Sequence, residues 1–227
     1  MDKVILLLGL CFVWVACGSP EGAADEEGNE TANRGLLFAK RFPAEVVQPT
    51  LALKAKFDAG LISKSETERE LGYWYELNAR QIRSHYMQEE TFRYVFPFNG
   101  EMSLDAEAEL AEQLPYMTRN CGYQNGAGEV IHYFCPSLDS TYFHYLDELA
   151  PGSGLIAQFA QEYRSKKIIS PRLRQNMLLK SIEALDFTNP DHQLFYALFQ
   201  LWVFDDIMAG VIARATTSPT PDQQPEK

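Results

Sequence analysis

The chain is short of the patterns from which enzymes are usually recognised. Its 227 residues include only four cysteines and four histidines. No GxSxG, GxxxxGKS/T, HExxH or CxxC occurs, which removes the nucleophile elbow, the P-loop, the zincin helix and the thioredoxin or zinc-ribbon pair. There is no basic run either. Twenty Lys and Arg face 31 Asp and Glu, a formal net charge of −11, and nothing in that balance suggests nucleic acid. No repeat recurs at solenoid periods.

What is there begins at the first residues. Val4 to Ala16 is a continuous apolar run of 13 residues behind Lys3, closed by Cys17-Gly18-Ser19-Pro20. A membrane span needs about 20 apolar residues, so the run reads as the core of an export signal. Its end has two readings. Ala16 before Cys17, with a polar acidic stretch after it, is the pattern of a bacterial lipoprotein, in which Cys17 becomes the lipidated first residue and holds the protein to a membrane. Ala16-Cys17-Gly18 also fits small-x-small cleavage after Gly18, which makes the product a soluble secreted or periplasmic protein. Trp14 stands where lipoprotein signals usually carry Leu. Asn29-Glu30-Thr31 matches a glycosylation acceptor, relevant only in a eukaryotic secretory setting.

Residues 18–34 carry Glu21, Asp25, Glu26, Glu27 and Glu30, with Arg34 as the one base at the end. Such a stretch buries too little apolar surface to offset its chain entropy and is expected to be a disordered tether. The Thr-, Pro- and Gln-rich residues 216–227 are expected to be a disordered tail. Between Arg34 and Arg214 there are 18 bases and 23 acids, net −5, so the ends carry much of the charge. Residues 35–215 then form one domain of ordinary size. Cys11 leaves with residues 1–17, the signal, and Cys17 is lipidated or removed. Cys121 and Cys135 remain, and in an exported protein that pair predicts a disulfide.

The periodicity predicts an all-α domain, an irregular bundle of about six to seven helices. Thr50 to Phe57 is helical with Gly60 placed to stop it. Ser65 and Glu68 form a capping box for a helix from Glu66 to Tyr94, and another runs from Ser103 to Met117. The segment between the cysteines differs. Asn125-Gly126 is a turn signal and Val130 to Phe134 is β-prone, which predicts a small hairpin or ordered loop closed by the disulfide. Helices resume over Leu138–Leu149, Gly154–Tyr163, Pro171–Leu185 and Pro190–Ala213. The last is apolar on nearly every face. Asp205 and Asp206 make it costly as a membrane span, so it reads as the central helix of the domain.

The segment from Lys56 through Gly60-Leu61-Ile62 and Ser65 to Leu71 resembles the short helical hairpins of the SHOCT type, over about sixteen residues. The resemblance implies an oligomerisation or docking hairpin and no activity.

Three polar features are candidates for chemistry. Glu129 and His132 have the ExxH spacing of a ferritin-like ligand pair, but only one such motif is present and it sits in a Gly-rich loop. His144 and Glu148 fall away from the apolar stripe of their helix and read as an exposed pair. The third lies on the helix after Ser65, where Asn78, His85 and Glu89 project onto the apolar face with Leu71, Trp74, Tyr75, Ile82 and Tyr86. Arg174 and Asp205 project inward from their own helices. A buried polar cluster of Asn78, His85, Glu89, Arg174 and Asp205 follows, read first as a structural ion network and alternatively as a metal or acid–base site.

No cofactor and no metal is expected. The function expected is a non-enzymatic, membrane-tethered envelope protein acting in binding or assembly with a protein partner the sequence does not identify, and with no nucleic acid. One alternative is a helical pocket for a small apolar ligand around Trp74, Tyr86, Phe199 and Trp202. Another is a metal-dependent enzyme using the His85 and Glu89 face.

Overall fold

The computed structural model describes residues 35–62, 69–87, 114 and 116–215. Its centre is the last helix, α7 (Pro190–Ala215). Every residue from Asp191 to Val203 is buried. A helix apolar on all faces must be enclosed to be stable in water, and over these residues this one is. Around it lie α1 (Leu37–Arg41), α2 (Ala44–Ile62), α3 (Leu71–Met87), α4 (Ser140–Leu149), α5 (Gly154–Lys166) and α6 (Pro171–Ala184), with one hairpin, β1 (Thr118–Gln124) and β2 (Val130–Pro136). The described chain is thus mostly helical, with one small two-stranded sheet. From Leu36 onward it forms one compact unit. α2 and β2 pack on α7, α3 packs on α2 and α6, and α5 joins α4 to α6.

Local signals set most helix starts. Asp139 caps α4 by accepting from the Thr141 amide at 2.7 Å. Ser170 caps α6 from the Leu173 amide at 3.1 Å, with Pro171 in the first turn. α5 ends on Lys167, which takes left-handed backbone angles (φ 58°) and closes the turn to Tyr163.

Several boundaries differ from the sequence reading. α2 starts at Ala44 and runs through Gly60 to Ile62. Its buried positions, Val46, Thr50, Leu53, Phe57 and Leu61, keep helical spacing past the glycine. Burying Leu61 outweighs the roughly 1 kcal/mol penalty of an interior Gly. α1 has no counterpart in the expected elements. Met117 is not helical but lies in a turn into β1, its amide bonded to the Leu114 carbonyl at 3.0 Å. Leu114 and Tyr116 are not helical either. The expected 66–94 helix starts later, at Leu71, with Arg69 and Glu70 outside it. The remaining residues of the expected 103–117 helix, the far end of the 66–94 helix and the Ser65 capping box lie outside the described residues.

The strands pair antiparallel, Thr118 opposite Pro136 through Gln124 opposite Val130. Cys121 lies opposite Tyr133, so its disulfide to Cys135 is diagonal, with Cα atoms 6.0 Å apart. The turn is organised by Asn125, whose Oδ1 accepts from the amides of Ala127 (3.0 Å) and Glu129 (2.8 Å). The residue needing positive φ there is Gly128 (87°), a region glycine enters without a Cβ clash. Removing the disulfide as Cys121→Ser/Cys135→Ser frees a loop worth about 3 kcal/mol. The expected result is a melting temperature lower by roughly 6–12 °C, read by non-reducing thermal melts.

Candidate functional site

Side chains from α7, α6 and both strands converge where the hairpin meets α7. Asp205 is 6% exposed, and its carboxylate accepts the Phe134 amide of β2. Asp206, the next residue, accepts from the Tyr123 hydroxyl of β1 and from Arg174 Nη1 of α6 at 2.6 Å. Helical geometry turns the two carboxylates about 100° apart, so one faces the sheet backbone while its neighbour bridges the hairpin to α6. The Tyr133 ring stacks on Tyr123, centroids 4.7 Å apart. On the other side Tyr163 of α5 donates to the Pro136 carbonyl.

The electrostatics suit a latch. The Arg174 and Asp206 side chains are 29% and 16% exposed, so their attraction is only partly screened. Burial, together with the hydrogen bond and charge of Asp206, holds the Tyr123 phenol protonated far above its ordinary range. A phenol so held does not act as a base at neutral pH.

The members of the expected polar cluster are found in different places. Arg174 meets the Asp206 carboxylate, the neighbour of the expected Asp205. Asp205 meets the hairpin backbone. Asn78 is buried, as its helix face implied, and accepts from the Tyr196 hydroxyl of α7 at 2.9 Å. His85 is in α3, but its side chain lies outside the described residues, as does Glu89 entirely. Among the described residues no group of three or more His, Cys, Asp or Glu side chains could hold a metal ion.

The remaining sequence candidates have plain roles. Glu129 accepts from Asn125 Nδ2 at 2.9 Å inside the turn, and His132 is exposed on β2. His144 and Glu148 are both exposed, and Glu148 pairs with Arg41 of α1. The aromatics proposed as a pocket lining are core where they are described. Trp202 is fully buried, stacked on Phe159 and edge-on to Tyr142. Phe199 meets Phe159 edge-on, and Trp74 is 9% exposed. The side chain of Tyr86 lies outside the described residues.

Two buried polar residues at the start of α7 were not singled out from the sequence. Asp191 accepts from the amides of Leu37 (2.9 Å) and Phe38 (3.0 Å), capping α1 from across the chain. His192 is 1% exposed, and its Nδ1 accepts the Asp186 amide at 3.0 Å. Its Nε2 finds no protein partner and faces Gly152, where an added Cβ would come within 3.1 Å. Accepting at Nδ1 fixes the neutral tautomer with its proton on Nε2. Burial holds the His192 pKa below the ordinary value against the opposing pull of Asp186 and Asp191.

The unfolded chain therefore binds this proton more readily than the folded one. The stability contributed by neutral His192 is present above the ordinary histidine pKa of about 6.5 and is lost as pH falls below it. His192→Asn keeps an acceptor near Nδ1 and removes the titration. The expected result is a smaller fall in melting temperature between about pH 7 and about pH 5 than in the parent chain.

No family model, curated protein or solved structure matches this chain.

Proposed function

We propose that the protein is an exported, lipid-anchored, non-enzymatic domain of the bacterial cell envelope that works by binding or assembly. The observation that carries the reading is Cys17, placed at the end of the Val4–Ala16 apolar run and before the acidic residues that lead to Arg34. In this reading cleavage falls between Ala16 and Cys17. The thiol takes a diacylglyceryl group and the new amino terminus an acyl chain. Several chains together hold a protein to a bilayer where a single one does so only marginally. The acidic residues then act as a spacer between membrane and domain.

The Cys121–Cys135 disulfide supports an oxidising compartment. Among the described residues no helix is long and apolar enough to cross a membrane. The non-enzymatic part of the reading is supported by the interior carboxylates. Asp191 and Asp205 accept backbone amides, and Asp206 bridges a guanidinium and a phenol. These are tasks of architecture. The partner in this reading is a protein.

Metabolic labelling with an alkyne-bearing palmitate tests the anchor. Label is expected in the parent chain and absent from Cys17→Ser. Label that survives this substitution, or a parent chain that takes up none, contradicts it.

A further inference from the structure

The domain is acidic, yet one corner of it is not. From Arg164 to Arg174 the chain carries Arg164, Lys166, Lys167, Arg172 and Arg174, with no acidic residue between them. The fold gathers this run at the turn from α5 to α6 and adds Arg119 of β1, whose Nη2 donates to the Lys167 carbonyl at 2.8 Å. Three carboxylates answer it. Asp147 pairs with Arg164 at 2.9 Å, Glu162 with Lys166 at 2.7 Å and Asp206 with Arg174 at 2.6 Å. Among the described residues, none of the ion pairs involves Lys167 or Arg172, although the Arg172 charge acts on Glu162 from beyond pairing distance. The corner is therefore net positive on a domain that is net negative.

At its tip is Ile168, 56% exposed, the most exposed large hydrophobic residue among those described. The left-handed conformation of Lys167 turns the chain out of α5 there. Ile169, the next residue, packs against the core. A single exposed Ile is unremarkable by itself. An exposed Ile framed by Lys166, Lys167 and Arg172 is the arrangement in which basic heads meet lipid phosphates while an aliphatic side chain enters the interface.

We propose that the Lys166–Arg172 turn is a second contact of this protein with the membrane, a docking surface for anionic phospholipid headgroups. Charge complementarity selects the occupant, since bacterial leaflets rich in phosphatidylglycerol present the opposite sign. The proposal rests on the anchor reading only in that a tether keeps the domain near such a surface. Tethering raises the local concentration enough for a contact of a few charges to form.

The experiment is arranged so that it does not depend on native lipidation. The chain beginning at residue 17 is coupled through the Cys17 thiol to a maleimide lipid in vesicles, and amide hydrogen exchange is followed by mass spectrometry. On phosphatidylglycerol-rich vesicles, exchange of the Ile168 and Ile169 amides is expected to slow about tenfold relative to phosphatidylcholine vesicles, and less so at high salt. Lys167→Gln/Arg172→Gln is expected to remove the difference and leave the melting temperature unchanged. Equal exchange on both surfaces overturns the proposal, as does undiminished slowing in the double variant. Slowing by soluble polyglutamate but not by phosphatidylglycerol vesicles assigns the turn to an acidic protein and overturns it too. An anchor that fails the labelling test leaves this result standing, so the two readings fail separately.

Discussion

Asp191→Ala is expected to lower stability by about 4 kcal/mol, among the largest effects of any single polar substitution in the chain. The carboxylate is 7% exposed and accepts two backbone amides, Leu37 at 2.9 Å and Phe38 at 3.0 Å. The Tyr145 hydroxyl sits a further 3.4 Å away. Alanine leaves both amides of the α1 start without an acceptor, and each such bond to a charged group is worth roughly 1.5–3 kcal/mol. A chain of this size loses about 2–4 °C of melting temperature per kcal/mol, so a fall of roughly 8–16 °C is expected. α1 is expected to detach first, seen as fast amide exchange at Phe38. Asp191→Asn keeps one acceptor oxygen and is expected to recover about half of the loss. A melting temperature unchanged in Asp191→Ala contradicts the assignment of this carboxylate as the cap of α1.

The second large effect is expected from Asp205→Ala/Asp206→Ala, about 4 kcal/mol for the pair, with less than additive single effects because the residues are neighbours. Asp205 accepts the buried Phe134 amide, and Asp206 holds both Arg174 and Tyr123. Removing both takes away these polar links from α7 to the hairpin and leaves the Arg174 guanidinium half-buried without this partner. The disulfide still closes the hairpin, so the expected outcome is an intact but undocked hairpin. Exchange at Phe134 and proteolysis near Tyr123 report it, while far-UV circular dichroism stays near the parent value. Loss of all helical signal instead means that docking and folding of the bundle are one event.

Several helices were legible because their signals are local. Ser170 and Pro171 mark the start of α6, and the apolar length of α7 draws it to the centre. Asp139 went unread as a cap, so α4 starts two residues later than expected, and α1 was not read at all. The disulfide was legible because Cys121 and Cys135 are the pair left once the export reading sets Cys11 and Cys17 aside, and the turn by Asn125, although the glycine that takes positive φ is Gly128. Gly60 misled because a glycine stops a helix only where no apolar face continues beyond it, and Leu61 continues this one. The cluster was partly legible. Asn78 and Asp205 are buried as their helix faces implied. Their partners, Tyr196 and the Phe134 amide, come from elements 118 and 71 residues away. Helix phase tells which way a side chain points, not what it meets. Arg174 pairing with Asp206, beside the expected Asp205, shows how one residue, a turn of about 100°, changes the partner. Asp191 went unnoticed because an acid in a first helical turn already has a local reason to be there, the helix dipole.

Lipid anchorage of the proposed envelope protein is decided by the intact mass of the native protein extracted from membranes with detergent. A chain beginning at Cys17 and carrying a diacylglyceryl and an acyl group is expected, with the mass of Cys121 and Cys135 joined. A chain that begins at Ser19 or later and carries no lipid contradicts it.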